Sequence, residues 1–300
     1  MTPMTFFLQL VVSGLSTGIV YSMIAIGFVI ILKCSQAFNI AQGHFVMIGG
    51  YLGFTFMAMF GLPIWATMLA AIATAIIMGL LIERLTLRPL VGQPVLAVIM
   101  MTIALGFCIL DGLAILIWGG DYKVYSGLLP TVSLRLGGVY LASATLITII
   151  VAVIMVAILM LFFRYAKMGL TMRAAAEDEQ VVQCAGIRVT TVYALSWIIA
   201  SITGVIAGVL LGSVGGASMT LADFGLKALA VVLLGGVNSL GGAIIAGIIV
   251  GVAQTLAGGY LDPLLPASGG VASVFPFMLM IIVLIIRPHG LFGLQRIERI

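Results

Sequence analysis

Long uncharged segments dominate the chain. No Asp, Glu, Lys or Arg occurs within residues 1–32, 34–82, 89–110, 136–163, 189–222, 228–261 and 263–286. A transmembrane helix needs about 20 consecutive, mostly apolar residues, and a Lys or Arg at its centre costs about 2.5–3.5 kcal/mol. The pattern therefore predicts an all-α, polytopic transmembrane bundle that forms a single domain over residues 1–300.

The basic residues fall at the ends of these segments and predict their orientation. They cluster around Arg84 and Arg88, between Arg164 and Arg188, and from Arg287 onwards. Lys and Arg accumulate in cytoplasmic loops, so we expect an outer N-terminus, an inner C-terminus and an inner loop over residues 164–192. The predicted crossings are 6–32, 38–60, 62–82, 95–118, 139–163, 193–213 and about 272–287.

The segment 225–258 must then start and end on the outer side. Its centre, GGVNSLGG, is a helix breaker in which paired glycines flank Asn238 and Ser239. Two short crossings or a re-entrant hairpin both satisfy this requirement. The sequence therefore predicts eight or nine crossings, with discontinuous or re-entrant segments.

The composition strengthens the membrane prediction. Hydrophobic residues make up 63% of the chain and charged residues only 7%, whereas a soluble domain carries about 25% charged residues. Such a chain needs membrane lipid around it. The net charge of +4 comes mostly from helix ends, so it indicates topology and not nucleic-acid binding.

Polar residues within one of the uncharged segments are the first candidates for a functional site. The stretch FNIAQGHFVMIGGY contains Asn39, Gln42, Gly43 and His44 near the inner end of the second predicted crossing. Non-helical backbone at membrane depth is tolerated only where protein or water covers it. The polar side chains either cap broken helix ends and bond across helices, or line a translocation pathway. Asn238 and Ser239 occupy a comparable break in the second half, which suggests a weak internal repeat.

The inner loop is the second candidate. Thr171 is a plausible N-cap, the residues up to Ala185 are good helix formers, and Gly186 is placed as a stop. We expect one surface helix over 171–185. By its residues alone it is either a solvated connector or a docking element for a cytoplasmic partner.

No catalytic or metal-binding pattern is present. HExxH, GxSxG and the Gly-Lys dipeptide of a phosphate-binding loop are all missing, so we expect no enzyme and no metal site. Asp111 lies inside a predicted crossing and is either a functional residue or a hydrated residue near the outer interface. A secondary transporter working alone would need a coupling-ion site, and acidic residues at membrane depth are nearly missing.

Four ordered motifs resemble permease subunits of branched-chain amino-acid ABC transporters, of the LivH type. The loop motif is met by Gly169, Arg173, Ala174, Asp178, Ala185, Gly186 and Ile187. The motif of the second crossing is met by Asn39, Ala41, Gly43, Gly49 and Tyr51. The segments LLGGVNSLGGAIIAGIIVG and RPHGLFG resemble the late glycine-rich segment and the C-terminal motif of the family.

The resemblance implies partners for this chain. They are a second permease subunit (LivM type), two cytoplasmic ATPase subunits that bind the ATP, and a periplasmic amino-acid-binding protein. The chain itself then needs no cofactor. The resemblance also implies a location in the cell inner membrane, and a coupling helix that docks in an ATPase groove. The docking candidates are Gly169, Arg173, Glu177, Asp178 and Gly186.

The resemblance also implies the solute class. It is branched-chain or other small neutral amino acids, while related systems carry urea, amides or aromatic acids. The substrate among these classes stays open at the level of the sequence.

Overall fold

The structure is a computed structural model. It describes residues 3–35, 38–90, 92–125, 133–136, 139–177, 179–184, 186–264 and 270–293. Asp178, Ala185 and the C-terminal residues 294–300, which include Arg296 and Arg299, lie outside the described residues.

Helices account for almost all of the described chain. In the first half they are α1 (Pro3–Ser35), α2 (Gln42–Phe54), α3 (Ile64–Ile82), α4 (Val95–Ala104), α5 (Asp111–Trp118) and α6 (Ser143–Tyr165). In the second half they are α7 (Lys167–Glu177), α8 (Glu179–Cys184), α9 (Val189–Gly215), α10 (Asp223–Gly235), α11 (Leu240–Tyr260) and α12 (Val271–Ile286).

Wider helical turns extend or join several of these helices. Thr55–Met59 continues α2, Glu83–Leu87 continues α3, and Leu105–Leu110 joins α4 to α5, each as a π-helical turn. The short 3-10 helices are Arg88–Leu90, Met219–Ala222 and Asp262–Leu264.

The predicted polytopic bundle is confirmed in its coarse form. Within the described residues, six helical segments are long and apolar enough to cross a membrane, and the shorter apolar helix α12 adds to them. The six segments are Pro3–Ser35, Ile64–Leu90, Val95–Trp118, Ser143–Tyr165, Val189–Gly215 and Leu240–Leu264.

Two of the long helices form the centre of the bundle. Within the most apolar stretch of 18 residues, 72% of the residues are buried in α1 and in α9, against 22% in the segments that contain α3 and α6. The outer helices instead expose large apolar side chains such as Ile77, Leu116 and Ile158. An apolar exterior of this kind fits a bilayer as solvent, because lipid tails are as apolar as these side chains.

Two short helices begin deep inside the bundle. Residues 38–41 lead from the end of α1 to α2, and residues 216–222 lead from α9 to α10. A Cβ on Gly225 would lie 2.3 Å from the Gly43 Cα, so the first turns of α2 and α10 are in direct contact. Each short helix is therefore preceded, inside the bundle, by a segment that is partly non-helical.

The contacts of Gln42 and Gly43 indicate how deep in the bundle the first turns of α2 and α10 lie. Gln42 lies beside Gly27, six residues before Lys33 in α1, which is about 9 Å along a helix. The far end of α2 at Phe54 is 11 residues beyond Gly43, or about 17 Å, and the π-helical turn to Met59 extends it further. The sum approximates the roughly 30 Å thickness of a bilayer core, so on the orientation that the basic residues predict the first turns of α2 and α10 lie at membrane depth.

The same succession of elements occurs twice. A long helix, a covered break, a short helix and a long helix appear as α1, α2 and α3, and again as α9, α10 and α11. The helix α1 packs against α11, as α9 packs against α3. Because α9 runs parallel to α2, pairing Gly204 with Phe45 and Gly208 with Val46, the second copy runs in the opposite direction to the first.

A short hairpin departs from the all-helical expectation. Strand β1 (Ser133–Leu136) pairs with the antiparallel strand β2 (Val139–Ala142) in the loop that precedes α6. The preceding segment is tied to the outer ends of α2 and α9. Tyr125 donates to the Val209 carbonyl, and Tyr51 donates to the Asp121 carbonyl. The predicted outer loop is therefore ordered where it meets the bundle.

The single helix predicted over 171–185 is wrong in its boundaries. Helix α7 begins at Lys167, directly after α6, four residues earlier than predicted, and α8 covers Glu179–Cys184. Thr171 is no N-cap, because it lies inside α7 and its hydroxyl donates to the Lys167 carbonyl. The buried Gly169, Met172 and Ala175 explain the earlier start, since they seat the first turn of α7 against the bundle.

Candidate functional site

The polar residues of the first break form a chain of hydrogen bonds that reaches α9. The Asn39 amide nitrogen donates to Gln42 Oε1 at 3.0 Å, and Gln42 Nε2 donates to the Ala200 carbonyl at 3.0 Å. Both side chains are buried. They link the break before α2 to the middle of the central helix α9.

A threonine of α4 holds the same break from its other side. Thr102 Oγ1 accepts from the Ile40 backbone N–H and lies 3.3 Å from the Phe38 carbonyl. Buried backbone groups need such partners, because an unpaired one is costly in an apolar interior. Thr102 is itself fully buried, so the break is closed on the side of α4.

The expected capping role of Asn39 is not observed. No side chain caps the first turn of α2, and Asn39 Oδ1 is buried without a hydrogen-bond partner. The expected cap at the second break is present, because Ser239 Oγ accepts from the Gly242 backbone N–H at 2.9 Å.

His44 meets an acidic residue of another helix. Its Nε2 lies 3.4 Å from Asp111 Oδ1, and its ring packs edge-on against Phe107 with a centroid distance of 4.7 Å. A Cβ on Gly106 would lie 2.5 Å from His44 Nδ1, so only glycine leaves room for the imidazole there. Asp111 is thus part of an ionisable pair between α2 and α5.

Asn39 and Asn238 are not matching positions of the repeat. Asn39 precedes α2 at membrane depth, whereas Asn238 lies in the turn between α10 and α11, one helix later in the second copy. The position that corresponds to Asn39 falls instead in the segment before α10. Sequence alone paired the two breaks because both combine an asparagine with glycines.

The turn between α10 and α11 opens into a cavity of about 830 Å³. Gly236, at the start of this turn, has a φ of +100°, and the N–H of Leu291 donates to the Leu234 carbonyl. The C-terminal segment is therefore fixed beside this turn. The cavity is lined by Leu32, Lys33, Phe38, Arg173, Ala176, Glu177, Leu233, Val237, Asn238, Leu284, Pro288, His289 and Gly293.

Charged and apolar groups share this cavity. Lys33 lies in the last turn of α1, and Arg173 and Glu177 lie one turn apart on α7. Among the described residues, none of these three side chains has an ion-pair partner within 4 Å. The charges therefore face the cavity and solvent, where they are available to a partner or a solute.

Gly169 and Gly186, two further candidates of the inner loop, have structural roles. Gly169 packs so closely under α6 that a Cβ there would lie 2.4 Å from the Phe162 carbonyl oxygen. Gly186 has a φ of +79°, and its N–H and that of Ile187 bond back to Gln183 and Val182. This pattern ends a helix as a Schellman motif, so the predicted stop at Gly186 is confirmed.

Sequence reasoning missed several residues of these sites. Thr102 and the Ala200 carbonyl carried no local signal, because a threonine or an alanine in a membrane helix is ordinary. His289 is exposed, and it also lines the cavity. Within the described ranges, no group of three or more His, Cys, Asp or Glu residues has the arrangement of a metal site.

Comparison with known families gives one match that spans nearly the whole chain. Residues 10–284 match the family described as "Branched-chain amino acid transport system / permease component". The chain is 31% identical to the high-affinity branched-chain amino acid transport system permease protein LivH of Escherichia coli, over 98% of both chains. It is also 31% identical to the permease protein BraD of Pseudomonas aeruginosa, again over 98% of both.

A solved structure shares the fold. PsaBC from Streptococcus pneumoniae, in complex with Fab, superposes with a TM-score of 0.51 over 95% of this chain and 92% of that chain. The sequence identity is 15%, so this likeness concerns the fold alone.

Proposed function

The chain belongs to the branched-chain amino acid transport system permease family, and on this premise we propose how it works. It is a multi-pass membrane permease and not an enzyme. With a second permease subunit it forms the path by which an ABC importer carries branched-chain or other small neutral amino acids. Two ATPase subunits on the inner side supply the energy, and a periplasmic binding protein delivers the solute to the complex in the cell inner membrane.

The inner cavity is the observation that carries this proposal. Its walls come from the end of α1, the turn between α10 and α11, the end of α12 and the helix α7. Helix α7 is both the proposed contact with an ATPase subunit and one wall of the cavity. If an ATPase subunit moves α7, the shape of the inner end of the path changes with it.

The proposed topology has nine crossings. The helices α1, α3, α4–α5, α6, α9, α11 and α12 each cross as helix, and two crossings are discontinuous. The first runs through residues 38–41 and α2, and the second through residues 216–222 and α10. Nine crossings place the N-terminus outside and the C-terminus inside, as the basic residues require.

The proposed docking surface is the solvent-exposed face of α7, on the inner side of the membrane, together with the following α8. Arg173 and Glu177 are exposed and unpaired in the described chain, so they are free for charge-assisted hydrogen bonds to an ATPase subunit. Gly169 and Gly186 set the two ends of this surface. Asp178 belongs to the same proposed surface and lies outside the described residues.

Uptake by the reconstituted complex tests the function. The chain is purified with its second permease and ATPase subunits, placed in proteoliposomes, and supplied with the binding protein and ATP. We expect ATP-dependent accumulation of leucine, isoleucine or valine in preference to urea, acetamide and phenylalanine. Accumulation of solute by this chain without ATP or ATPase subunits would show that the proposed function is wrong.

Charge reversal on α7 tests the docking surface in the same assay. Arg173→Glu and Glu177→Lys should each lower uptake and ATPase binding at least about tenfold, because each places a like charge in a charge-assisted contact. The matched control is Lys123→Glu, which reverses a charge on the outer side. If the α7 variants retain wild-type uptake while the ATPase subunits stay bound, docking occurs elsewhere.

A further inference from the structure

Helix α10 carries two charged residues at membrane depth. Asp223 begins the helix and Lys227 follows one turn later, on the same face. The first turn of α10 touches Gly43, which lies 11 residues before the end of α2 at Phe54, or about 17 Å by helical rise. Asp223 is exposed and Lys227 is half-buried in the single chain.

Lipid is an unsuitable neighbour for this face. Ionisable side chains within a membrane almost always face the protein interior or a water-filled cavity, since exposure to hydrocarbon is costly. The same face exposes Thr220 and Leu226, and the hydroxyls of Ser218 and Thr220 lie 2.7 Å apart. In the assembled transporter, water, solute or another subunit therefore covers this stripe of α10.

The two charges do not neutralise each other by direct contact. Among the described residues, neither side chain has an ion-pair partner within 4 Å. The Lys227 ammonium instead lies 5.3 Å from the centroid of the Phe224 ring, and that ring packs against Tyr21 at 5.8 Å. The ring contact positions the ammonium beside the exposed stripe and leaves both charges available.

On the basis of the function proposed above, we propose that Asp223 and Lys227 bind the charged ends of an α-amino acid on its way through the membrane. The Asp223 carboxylate accepts from the solute ammonium, and the Lys227 ammonium donates to the solute carboxylate. Side chains four residues apart on a helix have Cβ atoms about 5–6 Å apart, a separation that lets both reach one small zwitterion. The exposed Leu226 offers an apolar contact beside them, which suits a solute with an uncharged side chain.

A complementary pair of this kind also explains how charge is tolerated on the path. A zwitterion has no net charge but carries two strong dipole ends, and each end loses its water within the membrane. One fixed charge of each sign replaces that water without leaving a net charge on the pathway. Urea and amides lack both ionic ends, so they gain less from the pair.

The variants Asp223→Asn and Lys227→Gln test the proposal in the complete reconstituted complex. Each variant removes one charge-assisted hydrogen bond to the solute, so each should lower ATP-driven leucine uptake at least about tenfold. The ATPase activity stimulated by the loaded binding protein should stay within about twofold of wild type, so more ATP is hydrolysed per leucine moved. The matched controls are Asp121→Asn and Lys123→Gln, which remove the same charges from the outer-face pair.

A charge exchange separates solute binding from an ion pair that only stabilises the helix. The double variant Asp223→Lys with Lys227→Asp keeps two opposite charges one turn apart, and it should remain as defective in uptake as the single variants. Recovery of uptake in the double variant would overturn the proposal, as would normal uptake in both single variants. Loss of the second permease subunit on purification would assign the pair to the subunit interface and overturn it as well.

These outcomes are distinct from a failure of the proposed function. In that case the wild-type complex itself would show no ATP-dependent leucine uptake. If wild type transports leucine and the Asp223 and Lys227 variants transport it equally well, only the zwitterion site is wrong.

Discussion

Several polar side chains inside the bundle bond to groups from distant parts of the sequence. Gln42 bonds to the Ala200 carbonyl, Ser22 to that of Ile244, and Tyr21 to Gln254. Hydrogen bonds between membrane helices contribute about 0.6 kcal/mol on average. Each is weak, so these residues fix the registry of the helices more than they stabilise the whole bundle.

The stability of the complex should depend more strongly on the pair of His44 and Asp111 than on any one of these hydrogen bonds. Removing one member of a buried ionisable pair leaves the other without compensation, which is far more costly than removing both. We predict that His44→Leu and Asp111→Leu each lower the melting temperature of the detergent-purified complex. The double variant should be more stable than the sum of the two losses implies, by about 1–3 kcal/mol.

The control for this double-mutant cycle is a distant carboxylate. Asp262 accepts hydrogen bonds from the backbone N–H groups of Val271 and Ala272 at the start of α12. Asp262→Asn combined with His44→Leu should give additive losses. Additive losses for His44→Leu with Asp111→Leu would mean that the two residues do not act as a pair.

At the scale of elements, glycines decide how closely the two half-length helices approach. A Cβ on Gly43 would lie 2.1 Å from the Ala222 carbonyl oxygen, and the backbones of α2 and α9 meet in the same way at Gly49 and Gly208. Small residues allow this approach, and van der Waals contact then stabilises helix pairs in lipid. The covered breaks depend on these contacts, because an uncovered break would expose backbone polar groups to lipid.

Gly43→Ala tests this dependence. The added methyl group forces α10 away from α2, and overpacking of this kind costs about 1–3 kcal/mol. We expect a lower melting temperature and a lower yield of the assembled complex. Gly112→Ala in α5 is the matched control, because a Cβ there meets no atom within 4 Å. A variant at Gly43 as stable as the Gly112 variant would show that the two helices are not in tight contact.

At the scale of the whole molecule, two inverted copies of one helical unit each contribute one of the two central buried helices, α1 and α9. Discontinuous helices in both halves of such repeats are a recurrent way to build a central path. The six long helical segments alone do not fix the number of crossings, because α2 and α10 are each 13 residues long. The turn between α10 and α11 is decisive, since nine crossings require it to reach the inner side.

Labelling of single cysteines tests the nine-crossing topology. In a background with Cys34, Cys108 and Cys184 replaced by serine, Asn238→Cys should react with a membrane-impermeant maleimide only in inside-out vesicles. Asp121→Cys should react only in right-side-out vesicles, because it lies in the outer loop and is 75% exposed. Labelling of Asn238→Cys from the outer side would contradict the topology.

The sequence by itself determined the class of the molecule and several of the places where its helices break, and it predicts a membrane orientation. Those properties follow from local quantities: the length of uncharged segments, the side on which basic residues collect, and the paired glycines around Asn238 and Ser239. The helix end at Gly186 was predictable for the same reason, because the positive φ of that one residue favours glycine. The family resemblance also rested on short motifs that are continuous in the chain.

Only the tertiary structure decided which residues act together. The partners of Gln42 and His44 lie 158 and 67 residues away, and no pattern along the chain specifies contacts of that kind. The single helix predicted over 171–185 failed because burial of Gly169 and Met172 against α6 and α1 sets where α7 begins. The sequence likewise gave no sign of how deep Asp223 lies in the bundle. Only the contact between the first turn of α10 and Gly43 indicates that position.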